Sequence, residues 1–233
     1  MEASGDMSDR PGITIRKDFP RPSRDLVARF AEVPTGWVVD AQGRRGAIDH
    51  RIRPLLPPGR FAGVALTVST VSRDNLVPYA ALPCVQTGDV LMIGNRDDLS
   101  ASVIGDLYIG QARNCGAAAI VTDGLARDIE GIEEIGIPVY ARGLSPNSPE
   151  KNGPGEIGLP VTIGGQVVAP GDIIVGDRDG VVVVPQATAE EVLAGLDAVA
   201  AKERRMEAAV RDGLKCPDWL EQTLEAKGVR YVD

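Results

Sequence analysis

The stretch AAAIVTDG at residues 117–124, followed by Leu125-Ala126-Arg127-Asp128, decides the fold class. An apolar run of this length reads as a buried strand. GDVLMIG at 88–94 has the same character and is entered from a Gly-Asp turn. FAGVALTVSTV at 61–71 alternates small and β-branched residues, and IPVYARG at 137–143 supplies a further strand. Helical segments are expected between these strands. Residues 76–82 predict a short helix, 98–116 a helix broken at Gly105-Asp106, and DIEGIEEIG at 128–136 a short acidic helix.

Outward from this centre, RDLVARFAEV at 24–33 places Leu26, Val27, Phe30 and Val33 on one helical stripe. WVVDA at 37–41 predicts a short strand or turn. Residues 145–160, rich in Pro, Gly and Asn, predict a long loop that is either a functional cover or an interface arm. Short strands follow across 161–185, with a hairpin signal at Asp177-Arg178-Asp179-Gly180. Asp172 and Asp177 are expected to serve turns. Residues 188–212 form a long amphipathic helix with Thr188 as its expected cap and Glu191 three positions on. A short helix is expected at 217–227. The mixture predicts an α/β fold with a β-rich centre. Its parts are a polar arm at 1–23, a main domain at 24–186 and a C-terminal helical extension at 187–233.

Composition narrows the chemistry. With 33 acidic against 25 basic residues the net charge is −8. Nucleic-acid binding depends on basic side chains neutralising phosphates, so no nucleic-acid partner is expected, and Arg44-Arg45 and Arg204-Arg205 read as solvated. The three cysteines, Cys84, Cys115 and Cys216, have neither disulfide nor zinc spacing. His50 is the only histidine and reads as structural. Removing these ligands leaves oxygen donors and hard cations such as Mg2+ or Mn2+. No apolar stretch approaches membrane-spanning length and the N-terminus does not resemble a signal peptide, so no membrane partner and a cytoplasmic location are expected.

Arg127-Asp128 lies just past a buried strand, where α/β proteins place ligands. Gly105-Asp106-Leu107 lies where a helix begins or restarts, and exposed amides there favour an anion. Taken alone, an Arg-Asp dipeptide is commonly a surface pair and a Gly-Asp step commonly a cap. Spacing by itself leaves both readings open.

Asp106, twenty intervening residues and Arg127-Asp128 resemble the signature of the 4-hydroxy-4-methyl-2-oxoglutarate aldolases, which share a fold with the RraA-like regulators of ribonuclease activity. The likeness extends over WVVDA, GVALTV (63–68), GDVLMIG, GAAAIVTDGLARD (116–128), IPVYARG and PGDIIVGDRDGVVVVP (170–185). It implies an α/β/α sandwich of the swivelling phosphohistidine-domain type with a long C-terminal helix, assembled as a homotrimer or homohexamer. It further implies that Asp128 binds Mg2+ or Mn2+ largely through waters and that Arg127 contacts the keto or enolate oxygen. Gly105, Asp106 and Leu107 would bind the small 2-oxo acid. Tyr108 and Ile109 depart from the family, where smaller residues are common, and Tyr108 is expected to reshape the pocket and to contact the substrate. Asp106 would assist proton removal, together with Glu203 or Glu207 from a neighbouring subunit. The activity implied is class II cleavage of a 4-hydroxy-2-oxo acid to pyruvate and a second oxo acid, with oxaloacetate decarboxylation through the same enolate. Two alternatives are a non-catalytic regulator of ribonuclease E or a helicase, and a related lyase with another oxo-acid or sugar-acid substrate.

Overall fold

The structure is a computed structural model and describes residues 12–232. The chain enters through strand β1 (Ile13–Ile15) and helices α1 (Arg24–Ala28) and α2 (Thr35–Ala41). Strands β2 (Arg53–Pro54) and β3 (Phe61–Thr70) lead through helix α3 (Leu76–Ala81) to β4 (Asp89–Gly94). Next come β5 (Ser102–Ile104), α4 (Asp106–Asn114), β6 (Ala119–Thr122), β7 (Leu125–Ala126), α5 (Ile129–Ile135) and β8 (Val139–Ala141). Short strands β9 (Gly155–Ile157), β10 (Val161–Ile163), β11 (Gln166–Val168), β12 (Ile173–Gly176) and β13 (Val181–Val184) follow. Helices α6 (Ala189–Arg211) and α7 (Leu220–Ala226) complete the described chain.

Strands β3, β4, β6 and β8 are parallel neighbours. Parallel strands need crossovers, and α3, α4 and α5 supply them. Every residue of β4 and β6 is buried, as expected of strands covered on both faces. Successive side chains still alternate. Leu66, Leu91, Ile93 and Ile120 pack with Val77, Ile109, Ala112 and Ile132 of the crossover helices. Ala65, Val90, Met92 and Val121 face Ile163, Val168, Ile174 and Val183. The second face is therefore covered by strands β10–β13, where a plain three-layer sandwich would have helices. The outer side of the β12–β13 hairpin carries Ile173, Val175, Val182 and Val184, packed on Phe30, Val38, Val192, Leu193 and Leu196. The architecture is mixed α/β. The β12–β13 hairpin continues the same sheet, β12 pairing antiparallel with the start of β3. With β10 and β11 it curls over the second face, below the helical layer that contains α6.

Several elements differ from expectation. WVVDA lies in α2, not in a strand. The Thr35 amide and hydroxyl bond the Asp177 carboxylate at 2.9 and 2.8 Å, and Val38 is buried in the outer core. Those tertiary contacts outweigh the β preference of Val38-Val39. Residues 102–104 form β5 where the helix was expected to begin. The loop at 145–160 contains β9, which pairs with β3 and with β1. The arm thus joins the sheet at residues 13–15, while its first eleven residues lie outside the described region. Thr188 makes no side-chain cap, because its hydroxyl turns to the Pro185 carbonyl at 3.3 Å. The hairpin at 177–180 forms as expected. Asp172 bonds the Ala169 and Gln186 amides, and burial pushes its carboxyl above the usual range. Among the described residues no helix is long and apolar enough to cross a membrane.

Replacing Asp177 by Ala removes the acceptor that ties α2 to the β12–β13 turn. The expected loss is about 2 kcal/mol, or roughly 4–8 °C in Tm, read by thermal denaturation. An unchanged Tm would show that the tie does not hold α2 in place.

Candidate functional site

Beyond β6 the chain turns at Asp123-Gly124 and enters β7, which runs parallel to β5 with Ser102 opposite Leu125 and Ile104 opposite Ala126. The Arg127 amide bonds the Ile104 carbonyl at 3.1 Å. Each of these two short strands runs directly into a helix: β5 into α4 through Gly105, and β7 into α5 through Arg127-Asp128. The parallel pairing therefore sets two helix N-termini side by side. This is what the twenty-residue interval accomplishes. It is the length of one helix, one core strand and their turns, returning the chain to the same place.

Asp128 occupies the N-cap position of α5 in the left-handed region, at φ 62° and ψ 50°, without capping the helix through its side chain. Aspartate is among the few residues that tolerate this backbone. Its carboxylate turns back on Arg127, with Nε to Oδ2 at 3.1 Å and the two side chains 37% and 44% exposed. An ion pair that exposed contributes little stability, so its consequence is positional. Arg127 Nη1 also donates to Ser148 Oγ at 2.7 Å. Gly105 packs directly on the pair. A Cβ there would lie 2.8 Å from Asp128 Oδ2 and 3.2 Å from Arg127 Cγ. Gly131 does the same for Asp106, whose Oδ2 would stand 2.5 Å from an added Cβ. The cleft so formed is lined by Asp106, Leu107, Asp128, Ile129, Glu130 and Gly131.

The structure brings Gly105, Asp106, Leu107, Arg127 and Asp128 together, with Asp106, Leu107 and Asp128 lining the cleft and Gly105 and Arg127 packed beside them. Leu107 is 73% exposed at the rim, and its amide meets Asp106 Oδ1 at 2.6 Å. The amides of Asp106, Leu107 and Tyr108 precede the first helical bond of α4, from the Ile109 amide to the Gly105 carbonyl, and so remain directed out of the helix. The Tyr108 side chain is not brought to the cleft. It is buried, bonds the Pro78 carbonyl at 3.2 Å and packs edge-on against Tyr79, and its burial pushes the hydroxyl pKa up. Its expected substrate contact is thereby reduced to its amide. Glu203 and Glu207 lie on α6, whose packed residues sit in the outer helical layer; Glu207 pairs with Arg211. Neither lines the cleft of its own chain.

Among the described residues no cluster of three or more His, Cys, Asp or Glu suits a metal. The cysteines are free, and the His50 side chain is 80% exposed beside Asp49. Sequence reading missed three parts of the site: Ser148, Gly131 and the turn organiser Asp123. The buried Asp123 carboxylate accepts the Asn95 and Asp97 amides at 2.7 and 3.2 Å, and burial raises its pKa. It steadies a left-handed pair, Arg96 and Asp97 at φ 63° and 56°. The Asp-Gly step after a buried strand was the available signal for it.

The class defined here is a mixed α/β protein with an Arg-Asp pair and a Gly-Asp step at paired helix entrances. Within that class the chain belongs to the RraA-like family, whose profile, described as Aldolase/RraA, matches residues 35–183. A protein of Halalkalibacterium halodurans, provisionally named 4-hydroxy-4-methyl-2-oxoglutarate aldolase, is 34% identical over 190 residues, 82% of this chain and 90% of the relative. The fold is similar to a solved protein of Pseudomonas syringae pv. tomato, with TM-score 0.74 at 28% identity over 84% of this chain and 97% of that one. It is also similar to Streptomyces coelicolor RraAS2, described as an unusual member of the RNase ES inhibitor RraA family. That likeness has TM-score 0.70 at 28% identity, over 82% of this chain and all of the other, 100%.

Gly105→Ala is expected to displace the Arg127-Asp128 pair without unfolding the chain. The measurement is a crystal structure or side-chain NMR of the variant beside its melting curve. A folded variant with the 3.1 Å contact intact would refute the packing argument.

Proposed function

We propose that the protein is a carbon–carbon lyase of the class II type, cleaving a 4-hydroxy-2-oxo acid to pyruvate and a second oxo acid and decarboxylating oxaloacetate. The observation that carries this reading is the half-exposed Arg127-Asp128 pair packed on Gly105 at the start of α4. The donor set fits Mg2+ or Mn2+: Asp128 and Asp106, both on the cleft, offer carboxylate oxygens, the donors hard cations take alongside water. Asp128 would hold it, and when bound it supplies Lewis-acid polarisation of the keto group.

The remaining work falls to the chain's own groups. The out-facing amides of Asp106 and Tyr108 in the first turn of α4 bind the pyruvyl carboxylate, where the helix N-terminus favours negative charge, while the Leu107 amide is taken by Asp106. Arg127 donates to the 2-oxo oxygen and stabilises the charge that develops there. Asp106 takes up the proton of the distal hydroxyl. The carbon–carbon bond then breaks, leaving a carbonyl on the departing oxo acid and the electron pair in a pyruvate enolate. A proton from water adds at the methylene carbon and gives pyruvate, and Asp106 releases the one it took up to solvent. Oxaloacetate reaches the same enolate by losing carbon dioxide.

Three further statements belong to this reading: a swivelling phosphohistidine-type architecture, a homotrimeric or homohexameric assembly in the cytoplasm, and approach of Glu203 or Glu207 from a neighbouring copy. The distal half of α6 supports the assembly, since its buried residues end at Leu196 while Met206 and Val210 are 40% and 58% exposed. A regulatory reading is favoured by the likeness to RraAS2. Asp128 weighs against it, because a regulator has no need of a metal-binding carboxylate beside Arg127.

The test is pyruvate release from oxaloacetate with Mg2+ or Mn2+, with and without chelator. Wild type is expected to be metal-dependent. Asp128→Asn, which keeps the left-handed backbone accessible, is expected to lose about a hundredfold or more in kcat/KM. Chelator-insensitive release, or full activity in the variant, would defeat the assignment. Capture of ribonuclease E at physiological salt by a chain lacking lyase activity would favour the regulator.

A further inference from the structure

The segment between β8 and β9 touches the site through one side chain, and both of its flanks are tied down. On one side the Ser145 amide bonds the Ala126 carbonyl at 2.9 Å, and the Ser102 amide bonds the Asn147 carbonyl at 3.0 Å. Asn147 Nδ2 adds a bond to the Ser100 carbonyl at 2.7 Å. On the other side the Glu150 amide bonds the Arg73 carbonyl at 2.6 Å, and the Asn75 amide returns a bond to the Glu150 carbonyl. The Asp74 carboxylate, 3% exposed, accepts the Asn152 and Gly153 amides at 2.6 and 2.8 Å. Ser148 and Pro149 are left between these anchors. Proline restrains the residue before it to extended backbone, so the segment has little freedom to move Ser148 away.

Ser148 Oγ accepts from Arg127 Nη1 at 2.7 Å, while the Asp128 carboxylate stands 3.1 Å from Nε of the same guanidinium as an ion pair. A guanidinium has five N–H donors in one plane. An ion pair is not directional and by itself leaves the terminal nitrogens free to swing, whereas the directed bond at Nη1 holds the plane. We propose that Ser148 is a positioning residue for Arg127, orienting its remaining donors toward a planar 2-oxo acid in the cleft. This rests on the lyase reading given above. Pre-setting the plane removes an ordering cost that would otherwise fall on the reaction step. The Ser148 hydroxyl is exposed, so its loss changes orientation far more than stability.

The test compares wild type, Ser148→Ala and Ser148→Thr in Mg2+-dependent pyruvate release from oxaloacetate. Ser148→Ala is expected to lower kcat about tenfold with a smaller change in KM and an unchanged melting curve, and Ser148→Thr to restore most of the rate. Side-chain 15N NMR of arginine, with the Arg127 signal assigned from Arg127→Lys, reads the tether directly. Restricted rotation of the Nη groups is expected in wild type and Ser148→Thr and lost in Ser148→Ala. Full kcat and KM in Ser148→Ala, or Arg127 signals identical to wild type, would overturn the proposal. Absence of pyruvate with wild type would overturn the lyase reading instead, and the NMR comparison would then decide the tether alone.

Discussion

The parallel pairing of β5 with β7 is the constraint on which the site depends. It is a short contact, two residue pairs with a register shift, yet it joins chain segments that enter different helices. Once Ile104 and Ala126 are side by side, Gly105 must face Arg127 and Asp128, and Asp106 must face Gly131. Neither helix can be rotated to relieve the crowding without breaking the strand pair. The glycines at 105 and 131 are the local answer, since any Cβ at either place would collide with the carboxylates.

That pairing is itself held by the sheet. β4 and β6 are buried over their whole length, and the turn at Asp123-Gly124 is locked to the end of β4 by the Asp123 carboxylate. Burying a carboxylate is costly unless it is hydrogen-bonded, and here two amides offset part of that cost. The rigid part of the fold thus ends one residue before the segment that forms the site. The reactive groups are exposed while the elements that place them are not, a division that suits preorganised electrostatics at a solvent-reached cleft.

The legible parts of the sequence were those governed by local pattern. Apolar runs such as VLMI and AIV mark β4 and β6 because both sheet faces are covered. The 161–185 strands and the 177–180 hairpin were readable from their turn residues. Long-range contacts were not readable. WVVDA becomes α2 through an Asp177 bond 142 residues away, and the segment before Gly105 becomes β5 only because β7 exists. The pairing of Gly105-Asp106 with Arg127-Asp128 was legible through its interval and its family resemblance, but Tyr108 was misplaced. Its neighbour Leu107 points outward, and one step around α4 reverses the environment. Ser148 left no trace, since nothing local to a Pro-rich loop announces a contact with an arginine 21 residues earlier.

If these two helix entrances form one site for a hard cation and a planar oxo acid, the two ligands must bind together. Mn2+ binding followed by electron paramagnetic resonance, with and without oxalate as a planar stand-in for the enolate, tests this most directly. Wild type is expected to bind Mn2+ more tightly when oxalate is added, and Asp128→Asn to lose both effects. Equal Mn2+ binding by the variant, or an affinity indifferent to oxalate, would contradict it.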